Sequence, residues 1–353
     1  MKTLIAFFTF FLTITASAFA IDQLNQDEIK IAAVGDLMLG GKTEPFLIKA
    51  GPDYPFIDVK PILQKADVVV GNLECPISLR GKAVENKKFT LRAGPIASTA
   101  LKMAGFRVMT LANNHTMDFG PLALQETLAS LDDNGILHSG AGMNLDDARS
   151  PAILKVKRTT LAFLSYSLTF PLEFFASARR PGTAPGYMEF VKTDIEKIRP
   201  LADIIIVSFH WGAELLTAAK DYQIALGRQA IDWGADIVLG HHPHVLQELE
   251  LYKGRLIAYS LGNFVFGSES NRTNNSIILL LTFKNKNLVC VEAVPLDVNN
   301  YRVKYQPRVL TGQAARDVLE NINISSERFN TRLRIEENRG VIRISPPDKT
   351  QSH

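Results

Sequence analysis

Apolar and polar positions follow two rhythms along the chain. Short runs, apolar on both faces and rich in β-branched residues, recur at Ile31–Val34, Val68–Val70, Val108–Leu111, Leu161–Ser165, Ile204–Ser208, Ile237–Leu239 and Leu256–Ser260. Such runs are the mark of strands buried between layers. Longer stretches with helical spacing lie between several of them. Gly120–Asn134 carries Leu122, Leu124, Leu128 and Leu131 before Gly135, and Lys220–Trp233 carries Ile224, Leu226, Ala230 and Ile231 before Gly234. Strands alternating with helices predict βαβ units, hence an α/β protein with a largely parallel, helix-covered sheet.

The texture changes at Ser276. Ile277–Phe283, Leu288–Pro295 and Tyr301–Val309 read as antiparallel strands on a second sheet. Leu168–Glu189 is aromatic, proline-rich and carries Arg179 and Arg180; an irregular insertion of this kind predicts a lid or binding loop. Residues 313–353 read as a polar, partly ordered tail with one apolar run, Val341–Ile344, fraying at Pro346. No repeat or linker divides 28–312, which reads as one domain.

Composition narrows the class. With 46% hydrophobic and 21% charged residues, the 353-residue chain has the make-up of an ordinary globular protein. Its formal charge of +3 gives no basic excess for a nucleic-acid partner. Residues 1–20 carry Lys2, an apolar Leu4–Ile14 and a small-residue end, Ala18-Phe19-Ala20. That is the pattern of a cleaved signal peptide, so export to the periplasm or the exterior is expected; an uncleaved anchor is the alternative. Cys75 and Cys290 are far apart in sequence, and a small buried thiol is the commoner fate for such residues.

Candidate chemistry collects where the strands stop. The strand ends read 35-GDLML-39, 71-GNLE-74, 113-NNHTMD-118, 208-SFHWGAE-214 and 240-GHHPH-244. In open parallel sheets the carboxyl ends of strands line the ligand crevice. Each piece alone has an ordinary role. An aspartate after a strand caps a helix, Asn113-Asn114 shapes a turn, and a lone His210 is a hydrogen-bonded core residue. Together, carboxylates, imidazoles and an amide oxygen form the donor set of Mg, Mn, Fe or Zn. Pro243 restricts its neighbours, so His242 and His244 can be held toward one pocket. Six ligands exceed one catalytic zinc and suit two divalent metals about 3.5–4 Å apart, an arrangement for hydrolysis.

In this order, GDLMLG, GNLECPI, AGFRVMTLANNHTMDFG, IVSFHWGAE, GADIVLGHHPHVLQ and IAYSLGNFVFG resemble the CapA family of capsule (poly-γ-glutamate) synthesis proteins, over about Ile29–Gly267. That family is similar to the calcineurin-like metallophosphoesterases. The resemblance implies a four-layer α/β/β/α sandwich of the metallo-dependent phosphatase type, with the late β segments completing the second sheet. It implies Asp36 on one metal, Asn114 on the other, and His210, His242 and His244 as further ligands. His115 matches a histidine acting on the transition state or leaving group, and His241 falls to a supporting role. Two positions depart from the phosphoesterase pattern. Met38 stands where D-x-H has its histidine. Asn72 stands where the bridging aspartate is expected, the carboxylate arriving two residues later as Glu74.

Other residues have two readings each. Glu214 accepts the His210 ring N–H or is a surface glutamate, and Asp118 orients His115 or caps the following helix. Arg92, a match to a family arginine, holds an anionic group or is solvated. Asn263 hydrogen-bonds near the site or shapes a turn. The leading expectation is an exported metal-dependent hydrolase of an anionic polymer or phosphoester. The alternatives are a non-catalytic scaffold beside a membrane polymer synthase, a secreted phosphatase or nucleotidase, and a γ-glutamyl amide hydrolase.

Overall fold

The computed structural model describes residues 28–267 and 269–345; the expected signal segment lies outside them. In chain order the first strands are β1 (Glu28–Met38), β2 (Val68–Leu73), β3 (Phe106–Thr110), β4 (Leu137–Ser139), β5 (Ala141–Gly142) and β6 (Ala152–Val156). There follow β7 (Thr159–Ser167), β8 (Gly182–Thr183), β9 (Ile204–His210), β10 (Ile237–His241), β11 (Leu249–Tyr252) and β12 (Arg255–Ala258). The last are β13 (Asn263–Phe266), β14 (Asn275–Lys284), β15 (Asn287–Asp297), β16 (Arg308–Val309), β17 (Arg334–Glu336) and β18 (Arg339–Arg343).

One sheet runs β17-β18-β15-β14-β1-β2-β3-β4, with β13 on the end of β1 and β16 on β15; the other runs β11-β12-β10-β9-β7-β6. The centre of each is parallel, as the alternating strands and helices predict. Successive residues of β1 serve different layers, the period of two that a strand imposes. Ile29, Ile31 and Ala33 join Leu161, Phe163, Ile204, Ile206, Ile237 and Leu239 between the sheets. Ala32 and Val34 face the other way, into a layer with Leu47, Ala97 and Leu101. On the far side of the second sheet, Leu164, Ile205 and Val207 pack on Val191, Ile195, Leu226 and Ala230 of two helices. The result is the four-layer α/β/β/α sandwich. Each fully buried aliphatic side chain contributes about 1.5–3 kcal/mol to these layers.

Three late segments differ from expectation. β14 and β15 do not belong to a separate sheet: β14 pairs antiparallel with β1, Ala33 opposite Leu279, and so extends the first sheet. The alternating Ile277, Leu279, Leu281 and Phe283 bury one face between the sheets, and no crossover is needed to reach that edge. Tyr301–Val309 is not one strand. Asn299 accepts from the Tyr301 N–H and starts a helical turn, Asn300–Val303, leaving only Arg308–Val309 extended. Residues 313–345, expected as part of a polar, partly ordered tail, carry regular structure. The helix Gly312–Ser326 buries Ala315, Val318, Leu319 and Ile322, and β17–β18 pair onto β15. The apolar stripe at helical spacing lies within a segment whose overall composition is polar.

Leu168–Glu189 has more structure than its sequence suggests. It contains a 3-10 turn, Leu172–Phe174, and β8, which pairs with β5. Arg180 Nη2 donates to Phe175 O within the loop. Among the described residues, no helix is long and apolar enough to cross a membrane. Cys75 and Cys290 are both free thiols.

Candidate metal centre

The site forms where β1, β2, β3, β9 and β10 end, because the backbone leaves regular pairing there. Pairing of β1 with β2 slips between Ala33 and Asp36. A Cβ on Gly35 would stand 1.9 Å from Gly262 O, so only glycine permits this approach. The Asp36 N–H donates to that same carbonyl at 3.0 Å. Asp36 is thereby turned inward and fully buried.

Its carboxylate is well supplied with donors. Oδ1 accepts from Asn72 Nδ2 at 2.8 Å and lies 3.2 Å from His241 Nδ1. Oδ2 accepts from the His242 N–H at 3.2 Å and lies 3.4 Å from His244 Nδ1. His244 Nδ1 also stands 2.9 Å from Asn263 Oδ1. His242 and His244, either side of Pro243, both have positive φ, 95° and 59°. For non-glycine residues this costs about 1–3 kcal/mol each, and the surrounding contacts sustain it: Leu215 N donates to Pro243 O at 2.8 Å.

Glu74 is the opposite case. It is fully buried, and neither carboxylate oxygen has a hydrogen-bond partner. A buried carboxylate without donors is costly. One donor atom each from Glu74, His210 and His242 lie within 4.8 Å of one another, and so do those of Asp36, Glu74 and His244. Asn114 adds an amide oxygen 2.8 Å from His210 Nε2. Glu74 Oε1 stands 3.6 Å from His210 Nε2 and 3.7 Å from His244 Nε2. The carboxylate is thus shared by two adjoining groups of ligand-type atoms, and these donors fit a pair of divalent cations.

Burial, reinforced by the charge of Asp36, pushes the Glu74 carboxyl well above the usual carboxylate range. Burial would raise Asp36 too, but the His241 and His244 imidazoles hold it well below. Burial and the neighbouring His244 bring His242 down to about 3, and burial followed by His242 lowers His210 strongly. Burial opposes the charge on His244, yet Glu74 and Asp36 prevail and raise it to about 10.

His115 lies on the turn after β3, shaped by Asn113. The Asn113 side-chain oxygen accepts from the His115 and Thr116 N–H groups, each at 3.0 Å, and its amide donates to Leu73 O at 2.8 Å. Asp118 does not cap the next helix, whose first residue carries no side-chain cap. It instead holds His115, Nδ1 to Oδ2 being 2.7 Å. Burial lowers the His115 pKa against the pull of Asp118.

The remaining predicted residues lie further out. Glu214 is exposed and is not the partner of His210, whose ring faces Asn72 at 3.4 Å and Asn114 at 2.8 Å; the strand ends already supply both partners. The exposed Arg92 stacks on the Phe119 ring, 4.1 Å from its centroid. Met38 is buried with its Cε close to Gly41 and Gly267, in the helix-facing core.

One residue at the site carried no sequence signal. Lys87 donates from Nζ to Asn114 O and Asp118 Oδ1 and stands 3.1 Å from His115 Nδ1. Its Nζ also sits 5.0 Å over the Phe174 ring, so the insertion after β7 reaches the rim of the site. A lysine in an otherwise exposed run, 85-ENKKF-89, has no local pattern to mark it.

Residues 30–268 match the family described as "Bacterial capsule synthesis protein PGA_cap". The chain is 32% identical to the "Capsule biosynthesis protein CapA" of Bacillus anthracis, covering 80% of this chain and 71% of that one. It is 34% identical to the "PGA biosynthesis protein CapA" of Bacillus subtilis, covering 78% and 73%. Among solved structures, the NAD nucleotidase of Haemophilus influenzae aligns at a TM-score of 0.45 and 12% identity, over 83% of this chain and 56% of that one. The chain belongs to the PGA_cap family of bacterial capsule synthesis proteins.

Proposed function

We propose that the protein is a divalent-metal-dependent hydrolase of metallophosphoesterase type, exported and acting on a phosphoester or an anionic envelope polymer such as poly-γ-glutamate. The observation that carries this reading is Glu74: two buried carboxylate oxygens without partners, shared by two groups of metal-type donors. Asp36, Glu74, Asn114, His210, His242 and His244 would hold the ions. Bound there, the ions would supply an activated water and neutralise charge on the attacked group. Asn72, His241 and Asn263 orient Asp36 and His244. His115, its Nδ1–H held by Asp118, has the Nε2 lone pair left to take a proton from the attacking water and return it to the departing oxygen. Export rests on the pattern of residues 1–20.

The test is a hydrolysis panel of phosphoesters, nucleotides and poly-γ-glutamate, run on metal-loaded protein and on His115→Ala. Turnover that depends on added Mn, Fe, Zn or Mg and falls in the variant is expected. Metal-loaded protein that hydrolyses nothing, yet associates stably with a membrane polymer synthase, would instead identify a scaffold component.

A further inference from the structure

A second hollow adjoins the metal centre. Val245, the residue after His244, and Leu246 line a trough of about 380 Å³ that is also walled by Ile322 of the helix Gly312–Ser326. The trough lies on the same rim as the centre. β14 runs antiparallel to β1, Ala33 opposite Leu279, so its first residue, Asn275, sits toward the end of β1 that carries Asp36. Gly262 stands between the two. Its carbonyl accepts from the Asp36 N–H at 3.0 Å, and a Cβ on it would be 3.2 Å from Asn275 O and 3.5 Å from Leu246 N. Ser260 Oγ donates to Val245 O at 2.7 Å and pins the shared wall.

The lining is apolar on one side and polar on the other. Val245, Leu246 and Ile322 offer methyl groups, while Arg272, Asn275 and Asn321 offer hydrogen bonds. Arg272 is exposed and is the one charged residue of the lining; among the described residues it has no ion-pair partner. The Asn275 and Asn321 side-chain amides have no hydrogen-bond partner among those residues either. No carboxylate and no aromatic ring lines the trough, so a nucleobase or a sugar ring would lack a stacking surface. An uncompensated guanidinium selects an anionic oxygen group such as a carboxylate. Free amides pair with amides, and an apolar wall covers methylenes.

We propose that this trough is the subsite for the chain of an anionic, amide-linked polymer. A carboxylate lies on Arg272, chain amides on Asn275 and Asn321, and methylenes on Val245, Leu246 and Ile322. This rests on the hydrolase reading above and places its substrate: a chain in the trough is led past Gly262 to the metal centre. A polymer reaches trough and centre together, whereas a small phosphoester reaches the centre alone.

The test is fluorescence anisotropy of a labelled poly-γ-glutamate oligomer on metal-loaded protein, with its uncharged methyl ester of equal length as control. The oligomer is expected to bind and the ester not to. Arg272→Ala should weaken binding by about 10-fold or more, the range for a hydrogen bond to a charged group. Asn321→Lys, at an exposed position of the helix, should tighten it, a gain that misfolding cannot mimic. An oligomer that does not bind, binding that neither variant changes, or equal binding of the ester each overturn the subsite. Metal-dependent turnover of a small phosphoester by the same wild-type preparation is read alongside. Its presence without oligomer binding sinks the subsite alone, and its absence sinks the hydrolase reading.

Discussion

Nδ1 of His115 stands 2.7 Å from Oδ2 of Asp118, while Oδ1 of the same carboxylate accepts from Lys87. Lysine has no acceptor, so the His115 Nδ1–H donates to Asp118, and Lys87 donates to the other oxygen and steadies the carboxylate. His115→Ala is expected to lower kcat by about 10²–10⁴-fold, the range for a positioned acid–base group. Asp118→Asn should lower it less. Both should keep the wild-type metal content, read by elemental analysis beside steady-state kinetics. Loss of metal in either variant would make the turn a ligand scaffold instead.

Gly240 lies directly before the histidine cluster. A Cβ there would stand 1.9 Å from Tyr259 O, a backbone atom that cannot move aside without parting β10 from its neighbour. Gly240→Ala is expected to cost at least about 1–3 kcal/mol in urea unfolding and to weaken metal binding by displacing His241–His244. Wild-type stability and affinity would contradict the close packing.

Metal should stabilise the fold more as pH rises. Glu74 has a folded pKa above its unfolded value, near 4.3 for a free side chain. In stripped protein its contribution is therefore full below that value and is lost as pH climbs through the folded pKa. Ligands must also lose protons to bind a cation. Thermal melts from about pH 5 to pH 8 should show the gap between metal-loaded and stripped protein widening. A gap that is constant or narrows with pH contradicts the assignment of Glu74.

The segment after residue 312 is predicted to be structural. Leu319 is fully buried in the layer between the sheets, and Leu319→Ala should cost about 2–5 kcal/mol. Arg328 Nη2 donates to Ala219 O at 3.0 Å and pairs with Glu248, tying this segment to the loop after His210. A variant truncated before Gly312 is expected to lose cooperative unfolding by circular dichroism. A truncated protein with a sharp transition would return the segment to the status of a tail.

What could be read from sequence follows from how local each signal is. β1, β9 and β10 announce themselves as continuous apolar runs, and parallel strands put their following residues on one rim; Asp36, His210 and His242 thus converge without knowledge of distances. Three-dimensional pairing is less legible. Nothing in Ile277–Phe283 tells whether it joins β1 or a new sheet. The stripe of Val318, Leu319 and Ile322 is diluted by polar neighbours. Lys87 reaches His115 across 28 residues from a charged loop, a relationship that no periodicity encodes. Of the two readings of Glu214 the surface one holds, because strand ends bring Asn72 and Asn114 to the His210 ring.

The centre of the account is that Glu74 is shared by two cations. Its most direct test is the metal content of reconstituted wild type against Glu74→Gln, a change that keeps the volume and removes the charge. The account predicts about two divalent ions per chain in the wild type and a folded variant that binds neither ion tightly. A variant with the wild-type complement of metal would contradict it.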